Sequence, residues 1–412
     1  MRVLFAVSSW PGHYFPMVPL GWALRAAGHD VRVLCSDTDV DPLTQAGMTP
    51  VPVLSSTELM RGARLVNLLV AMHGAWPYPD PPLHPDTAEP VDFETFDFAA
   101  WYEKFSPLML ANATHNTDAA VAYARSWRPD LVVHDIASLE GSLIAKVTGV
   151  PDVLQLWGPW GTGDQYNPVD GDPGKPEKPV LDFSGAFERY GLDDPSDHDV
   201  DYVLDPCPEA IRPLGDAKRI PSRFIPYNGP GAVPLDIPER TDRPRVCVVW
   251  GRSASQIFGP SVNKMSQVVA AATALGAEVL LLATPSDAAD AGPLPDTVHV
   301  RANLPLNLVL SDCDAVVHYG GGGVTMTSVV CGVPQLLLPC GFDQTTVASR
   351  ITKAGAGLEI RNHEADVDRI KAALARLLGE SSFTTSAGEL AESANALQTP
   401  SDVVGTLREL AS

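Results

Sequence analysis

Short apolar runs alternate with amphipathic stretches in two separate parts of the chain. Residues 2–7 predict a strand, and residues 12–31 continue as a loop and an amphipathic helix that Gly28 closes before a second strand. The same order returns at residues 131–155 and begins again at VCVVWG, residues 246–251. Strands that alternate with helices in this way are typical of βαβ units, so the pattern predicts an α/β fold with parallel sheets.

A segment rich in proline and glycine lies between the two parts. PYNGPGAVPLDIPERTDRPR, residues 226–245, interrupts regular structure before the strand that follows. A chain of 412 residues is also too long for one typical hydrophobic core. We therefore predict a domain at residues 1–225, a linker at 226–244 and a second domain at 245–395, followed by a C-terminal helix within 396–412.

The stretch DAVVHYGGGGVTMTSVVCG, residues 314–332, indicates a ligand site. An apolar strand is followed by four glycines and then by a helix that Gly332 ends. Glycines let a ligand approach the backbone, and the first N–H groups of a helix lack internal partners, so a phosphate fits there. A tight turn without a ligand is the alternative. The loop does not match GxxxxGK[ST], so a P-loop ATPase is not expected.

The distribution of charge agrees with this location. The formal net charge is −21, whereas residues 299–356 carry acids and bases in equal number. Most of this acidic surface repels a dianionic ligand, so a neutral segment with His318 and a helix N-terminus is where such a ligand fits. Nucleic acid and anionic membranes both need basic surface, so we expect neither as a partner.

The sequence shows no stretch typical of a signal peptide or a membrane helix, and no closely spaced pair of cysteines. The start, MRVLFAVSSWPG, has too short an apolar run for a signal peptide and is typical of a strand. No stretch approaches the roughly 18 apolar residues of a membrane helix. The six cysteines form no CxxC pair. We therefore expect reduced core cysteines in a cytoplasmic protein without a membrane span or a zinc site.

Two irregular regions interrupt the first domain. Residues 50–116 are rich in proline and aromatic side chains, which predict either packing onto the sheet or a wall for a large apolar acceptor. Residues 152–205 are strongly acidic, which indicates a solvated insert. The alternative for the acidic run is a surface that attracts a cationic amino sugar or a basic partner protein.

Two residues at strand ends are candidates for acid–base chemistry. His13 follows the first strand, and Asp135 follows the strand at residues 131–134. In a doubly wound sheet both positions face the ligand crevice. A carboxylate beside an imidazole fixes its tautomer and stabilises its charged form during proton abstraction. The alternatives are a surface histidine and an aspartate that caps the following helix.

Three motifs, HYGGGG, GVPQLLLP and FDQ, follow one another in the second domain. They resemble the nucleotide-sugar signature of bacterial natural-product glycosyltransferases, whose usual form is close to HHGGAGT…GVPQ…GDQ. PGHYFPMVPLGWALRAAGHDV near the start and DPCPEAIRP…PYNGP in the middle also resemble that family, so the resemblance covers most of the chain. It implies the GT-B fold, in which two Rossmann-like domains face a cleft, the C-terminal domain holds the donor and the last helix packs back onto the first domain.

The resemblance also implies roles for residues. His318 would contact the pyrophosphate, Asp343 and Gln344 the sugar, and His13 with Asp135 would be the general base and its partner. Val324 stands where the family usually has threonine, and Asp343 is by position also a natural N-cap. The predicted donor-binding residues are Gly251, Arg252, Ser253, Leu304, His318, Gly320, Gly321, Gly322, Gly323, Val324, Asp343 and Gln344. The predicted acceptor-binding residues are Trp10, Tyr14, Trp76 and Tyr78.

The implied function is that of an inverting, metal-independent glycosyltransferase. Its donor would be a dTDP- or UDP-sugar, in the first place a dTDP-deoxysugar, and its acceptor a hydrophobic, polyketide-like aglycone; no cofactor is expected. A helix N-terminus can stabilise a leaving diphosphate without a metal. The alternatives are another GT-B sugar-nucleotide enzyme such as an epimerase, or a non-catalytic auxiliary subunit. The resemblance leaves a homodimer or an activator protein open.

Overall fold

The structure is a computed structural model that describes residues 1–56, 59–164, 182, 184–193, 200–232, 239–284, 288 and 291–412, the side chain of Arg252 excepted. Within these residues the chain forms two open sheets, one in each half. All pairings between neighbouring strands of the two sheets are parallel. The α/β fold with parallel sheets is therefore confirmed.

The N-terminal sheet is built around its first strand. Its strands are β1 (Arg2–Ala6), β2 (Asp30–Ser36), β3 (Pro50–Leu54), β4 (Leu131–His134), β5 (Asp152–Gln155), β6 (Tyr202–Asp205) and β7 (Lys218–Pro221). Their order in the sheet is β3-β2-β1-β4-β5-β6-β7. Val3 pairs with Val31 on one side and Leu131 on the other. The strand order reverses between β1 and β4, which is where open α/β sheets bind ligands.

Helices cover both faces of this sheet. They are α1 (Pro11–Tyr14), α2 (Val18–Ala26), α3 (Val40–Gln45), α4 (Leu59–Met72), α5 (Phe98–Trp127), α6 (Leu139–Thr148) and α7 (Ala186–Arg189). Side chains alternate across a strand, so β1 contributes to two cores. Phe5 belongs to a core with Leu24 of α2, and Leu4 to one with Ala124 of α5 and Ile144 of α6.

The C-terminal sheet repeats this arrangement. Its strands are β8 (Arg245–Val249), β9 (Glu278–Leu282), β10 (Val298–Arg301), β11 (Ala315–His318), β12 (Gln335–Leu337) and β13 (Gly357–Glu359), in the order β10-β9-β8-β11-β12-β13. Its helices are α8 (Arg252–Phe258), α9 (Met265–Ala274), α10 (Gly322–Cys331), α11 (Gln344–Lys353), α12 (Val367–Gly379) and α13 (Ser381–Asn395). The switch in strand order lies between β8 and β11, directly before the glycine loop.

The last helix, α14 (Pro400–Leu410), belongs to the N-terminal core although it follows the C-terminal domain. Thr399 and Asp402 form a capping box at its start, which satisfies N–H groups that would otherwise lack partners. Val403 and Leu407 are fully buried in the same core as Leu24 of α2. This helix therefore ties the end of the chain back to the N-terminal domain.

Much of the described part of the acidic run, residues 152–205, is not a solvated surface. Asp152 accepts from His134 at 2.7 Å, and Asp205 pairs with Arg219 at 2.5 Å. Asp164, which is also buried, pairs with an arginine of the C-terminal domain. The solvated-insert interpretation is wrong for these positions, because the carboxylates have buried partners. Residues 165–181, 183 and 194–199 of the run lie outside the described residues.

The cysteines are free thiols, and all but Cys331 are buried, as expected for core residues. Among the described residues, no helix is both long and apolar enough to cross a membrane.

Candidate active site

The two domains enclose a cleft of about 1530 Å³. Segments that follow strands of both sheets line it: Trp10 and Trp157 from the N-terminal sheet, and Trp250 and Tyr319 from the C-terminal sheet. Parallel strands end at one edge of a sheet, and the two domains turn these edges towards each other.

His13 lies in the cleft on the short helix α1, directly after β1. Its side chain is 20% exposed, and its Nδ1 atom is 2.9 Å from the Ser8 hydroxyl. The imidazole stacks on the Trp157 indole at 4.0 Å between ring centroids and 7° between ring planes. One face of the imidazole is therefore covered, and one nitrogen has a fixed partner.

Asp135 is fully buried at the end of β4, but it does not contact His13 directly. The nearest approach, from His13 Nδ1 to Asp135 Oδ1, is 3.9 Å. Ser8 stands between them: its hydroxyl donates to Asp135 Oδ2 at 3.1 Å, and its backbone N–H donates to the same oxygen at 2.7 Å. The two predicted residues therefore lie at ion-pair distance, and Ser8 joins them as a third member of the network.

This network determines the tautomer of His13. A serine hydroxyl has one proton, and Ser8 gives it to a carboxylate that accepts only. The Ser8 oxygen must then accept from Nδ1–H of His13, which leaves the Nε2 lone pair of the neutral imidazole free. Burial lowers the pKa of His13, and the negative charge of Asp135 opposes this effect without outweighing it.

Asp135 also organises the turn that follows its strand. Its Oδ1 atom accepts from the Ala137 N–H at 2.8 Å. Ser138, not Asp135, is the N-cap residue of helix α6. The helix-capping alternative for Asp135 is therefore wrong, because this carboxylate braces the turn before the helix and holds Ser8.

The glycine loop forms as the sequence predicts, between β11 and α10. Gly320 has a φ of +98°, which favours glycine, and Gly321 is the N-cap residue of α10. Gly321, Gly322, Gly323 and Val324 all line the cleft. The unpaired N–H groups at the start of α10 are thereby at the cleft, where an anion can accept from them.

His318 is buried beneath this loop and is only 1% exposed. Its Nδ1 atom accepts from the Gly320 N–H at 3.0 Å, so the proton of the neutral ring is on Nε2, which lies 3.0 Å from Gln335 Oε1. Burial lowers the pKa of His318 to about 4. In this arrangement His318 is neutral and both of its nitrogens have partners within the protein. The predicted contact with the pyrophosphate is therefore replaced by support of the loop from below.

We expect replacement of His318 with alanine to act on stability. Gly320 N–H and Gln335 Oε1 would lose their partner, at a cost of about 1–3 kcal/mol for each buried group. The depressed pKa adds a pH dependence, because the unfolded chain binds this proton below about 6.5 and the folded chain only below about 4. Stability attributable to His318 is therefore lost as the pH falls through this window. Thermal unfolding of the wild type and the variant between pH 4 and 8 measures the loss of stability and its pH dependence. Equal melting temperatures would contradict the first, and equal pH profiles would contradict the second.

Asp343 and Gln344 line the cleft beside the glycine loop. Asp343 is the N-cap residue of α11, as its position predicts, but its side chain makes no capping hydrogen bond there. Its Oδ2 atom accepts from the Trp157 indole N–H at 3.3 Å instead. Burial raises the pKa of Asp343 to about 6. Gln344 Oε1 accepts from the Cys340 N–H at 2.9 Å, which fixes the amide at the start of α11.

The first loop of the C-terminal domain also faces the cleft. Gly251 and Ser253 line it, and the Ser253 hydroxyl lies 2.8 Å from the Tyr319 hydroxyl. A Cβ atom at Gly251 would lie 2.8 Å from the same Tyr319 oxygen, so this approach requires glycine. Leu304, a mostly buried residue, lines the cleft on this side as well. The backbone of Arg252 begins helix α8.

Val324 lies in the first turn of α10, at the cleft, and also packs against the apolar cluster around Leu306. We expect Val324→Thr to raise dTDP affinity by about threefold to tenfold, the size of one added hydrogen bond of about 0.5–1.5 kcal/mol. Calorimetry with dTDP and thermal unfolding test this expectation. A lower melting temperature without a gain in affinity would show that the side chain needs its apolar surroundings.

Of the four predicted acceptor-binding residues, three lie outside the cleft. Trp10 lines the cleft, but Tyr14 is 1% exposed in the N-terminal core, where its hydroxyl donates to Asp39 at 3.3 Å. Trp76 and Tyr78 pack against Phe258 of the C-terminal domain, and the Tyr78 hydroxyl donates to the Cys340 carbonyl at 2.9 Å. These two aromatic rings hold the domains together because their loop crosses to the other domain.

Trp157 is not among the residues that the sequence predicts for the site, although its position carries a signal. The residue follows strand β5 at the edge of the sheet that faces ligands, as His13 and Asp135 follow theirs. The same applies to Ser8, which lies two residues after the end of β1. Position after a buried strand is thus a better indication of a site residue here than membership of an aromatic-rich loop.

Two parts of the chain match the two domains of one protein family. Residues 96–251 match the N-terminal domain, and residues 266–410 the C-terminal domain, of the family described as erythromycin biosynthesis protein CIII-like. The chain belongs to this family. Its relatives include tylactone mycaminosyltransferase of Streptomyces fradiae, 31% identical over 100% of this chain and 92% of the relative. Another is the aklavinone 7-beta-L-rhodosaminyltransferase of Streptomyces galilaeus, 32% identical over 100% and 96%.

Solved structures agree with this assignment. The spinosyn rhamnosyltransferase SpnG complexed with thymidine diphosphate has a TM-score of 0.75 and 27% identity over 99% of this chain and 100% of that chain. The chain is therefore a glycosyltransferase of the GT-B fold, of the kind that transfers sugars in natural-product antibiotic pathways. These relatives are transferases, so the two alternatives, an epimerase and a non-catalytic subunit, are not supported.

Proposed function

We propose that this glycosyltransferase moves a sugar from a dTDP- or UDP-sugar to a hydroxyl group of a hydrophobic, polyketide-like aglycone, with inversion at the anomeric carbon and without a metal ion. The relatives support the substrate classes: one acts on tylactone, and SpnG is complexed with thymidine diphosphate. A cytoplasmic location and an activator protein or homodimer stay predictions.

The observation that carries the proposal is that one side chain, Trp157, contacts both the candidate base His13 and the candidate anion site at the start of α10. Trp157 stacks on His13 at 4.0 Å, and a Cβ atom at Gly322 would lie 2.6 Å from the indole Cδ1 atom. The imidazole and the start of α10 are thus separated by a single indole ring. An acceptor hydroxyl beside His13 and a diphosphate at the glycine loop would hold the anomeric carbon between them.

The cleft has room for both substrates at once. A single small-molecule site typically has roughly 300–1,000 Å³, whereas this cleft has about 1530 Å³. Its N-terminal side is lined by apolar side chains of α4, α5 and α6, among them Leu65, Val66, Phe105, Met109 and Leu139. A hydrophobic aglycone would gain free energy from contact with this surface.

The proposed reaction needs one proton transfer and one leaving group. The Nε2 lone pair of His13 takes the proton of the acceptor hydroxyl as its oxygen attacks the anomeric carbon from the face opposite the diphosphate. The bond between that carbon and the diphosphate oxygen breaks, which inverts the configuration. Backbone N–H groups of Gly321, Gly322 and Gly323 at the start of α10 favour the negative charge that develops on the leaving diphosphate.

An intact-mass screen tests the proposal. The enzyme is incubated with a panel of dTDP- and UDP-sugars against a library of polyketide aglycones, and product masses report donor and acceptor together. His13→Ala is the matched control, and NMR coupling at the anomeric carbon reports inversion. Full activity in EDTA is expected. Loss of transfer in EDTA that Mg²⁺ restores, or a retained configuration, would contradict the proposed mechanism.

A further inference from the structure

We infer that Trp157 is a positioning residue that holds the His13 imidazole in a fixed position and orientation relative to the donor site. This inference rests on the proposed function, because it takes His13 as the base. Three separate contacts of one side chain support it, and each joins Trp157 to a different part of the site.

The first contact is with the base itself. The indole and imidazole planes are 7° from parallel, with ring centroids 4.0 Å apart. Trp157 is 8% exposed, so it covers one face of His13 with a rigid ring and excludes water from that face. Together with the Ser8 bond at Nδ1, the stack restricts the imidazole to one plane and one rotation within it.

The second contact is with the glycine loop. A Cβ atom at Gly322 would lie 2.6 Å from Trp157 Cδ1 and 3.0 Å from its carbonyl oxygen, so only glycine fits there. A Cβ atom at Gly158 would lie 3.1 Å from the Gly322 Cα atom. The backbones of the two domains therefore touch at this point, and Trp157 is packed against the first turn of α10.

The third contact is with the predicted sugar-binding carboxylate. The Trp157 indole N–H donates to Asp343 Oδ2 at 3.3 Å. This bond favours the ionised form of a carboxyl group whose pKa burial raises to about 6. A displacement of Asp343 on sugar binding would thus also displace the indole ring that covers His13.

The segment that carries Trp157 is fixed to the C-terminal domain at its far end. Arg350 of helix α11 donates to the Pro159 carbonyl at 2.7 Å and to Asp164 at 2.7 Å. Helix α11 begins directly after Asp343, so one helix holds both the carboxylate and the segment. A reacting group held in this way needs little reorganisation, and a misplacement of about 1 Å can cost about 100-fold in rate.

Two substitutions separate the contacts. Trp157→Phe keeps an aromatic ring against His13 and removes the N–H bond to Asp343; we expect kcat to fall by about threefold to tenfold. Trp157→Leu removes the stack as well, so we expect a fall of about 10- to 100-fold. Trp22→Phe is the matched control, because it removes an indole N–H bond, to the Ala46 carbonyl, at a residue that does not line the cleft.

A titration of histidine ring nitrogens by NMR supplies a readout that needs no aglycone. The His13 signal is identified by its absence in His13→Ala. Loss of the indole admits water, so the pKa of His13 should rise towards about 6.5 in Trp157→Leu and move less in Trp157→Phe. Donor hydrolysis and transfer give kcat and donor KM, and calorimetry with dTDP shows whether the donor site is intact.

The outcomes distinguish the inference from the proposed function. Retained kcat in His13→Ala would overturn the role of His13 and the inference with it. Loss of kcat in His13→Ala, with unchanged kcat and unchanged His13 pKa in a folded Trp157→Phe and Trp157→Leu, would overturn the inference alone. If Trp157→Leu does not fold, Trp157→Phe decides the question. Values of kcat and of the His13 pKa equal to those of Trp22→Phe would then overturn the inference.

Discussion

His13→Ala is expected to lower kcat by about 10²–10⁴, the usual range for a general base, with little change in donor KM. The acceptor hydroxyl has a pKa far above neutral, so its proton must leave as the new bond forms. The Ser8 network leaves the Nε2 lone pair of His13 free for this task. Transfer kinetics with the substrate pair found by the mass screen measure the effect.

The pH dependence follows from the pKa of His13. Burial lowers this pKa below its ordinary value of about 6.5. The base is active when neutral, so kcat/KM should decline only as the pH falls through the lowered pKa, and it should be flat above it. His13→Ala should abolish this acidic limb. A limb that persists in the variant would assign it to another group.

Ser8 and Asp135 provide the controls for this prediction. Ser8→Ala and Asp135→Asn should each cost less than His13→Ala, because they act on the orientation and charge of the imidazole. Either change combined with His13→Ala should be hardly worse than His13→Ala alone, since residues that act as one unit are not additive. Fully additive losses would show that they act separately. Insensitivity to His13→Ala with loss of activity in Asp135→Asn would make the carboxylate the base.

Arg350→Met is expected to lower the free energy of unfolding by about 3–5 kcal/mol, because it leaves a buried carboxylate without its partner. Arg350 and Asp164 are 14% and 3% exposed, and the guanidinium binds both carboxylate oxygens at 2.5 and 2.7 Å. Thermal and urea unfolding measure the loss. Arg350 also holds the segment after Trp157, so we expect dTDP affinity to fall as well.

An exposed ion pair on a C-terminal helix is the matched control. Arg376 and Glu380 are 2.8 Å apart but 54% and 46% exposed, so Arg376→Met should lower stability far less than Arg350→Met does. The double change Arg350→Met with Asp164→Asn should recover much of the loss, since no charge is then left buried and an amide oxygen can still accept from the Gly161 N–H. Equal losses in Arg350→Met and Arg376→Met would contradict the assigned role of burial.

Several features of the site follow from local sequence. The glycine loop is predictable because glycines after an apolar strand permit a φ of +98° at Gly320 and leave helix N–H groups unpaired. His13 and Asp135 are predictable because each follows a strand, and the carboxyl edge of a parallel sheet binds ligands. These arguments need only neighbours in the chain and the period of the pattern.

Local sequence could not assign contacts within the site. Trp10 and Tyr14 flank His13, yet the short helix α1 turns Trp10 to the cleft and Tyr14 to Asp39. His318 has a motif position typical of a phosphate contact, but Gln335 of the next strand takes its second nitrogen. In each case the partner comes from a different element, so the outcome depends on packing.

By itself the sequence determined two parallel α/β domains, the glycine loop and the strand-end positions of the base and its carboxylate, because strand length, glycine freedom and helix starts are local properties. Only the tertiary structure decided that Ser8 separates His13 from Asp135, that Trp76 and Tyr78 join the domains, and that Trp157 connects the base to the donor loop. The physical reason is that these contacts form between segments more than a hundred residues apart, whose approach is set by how two sheets pack across a cleft.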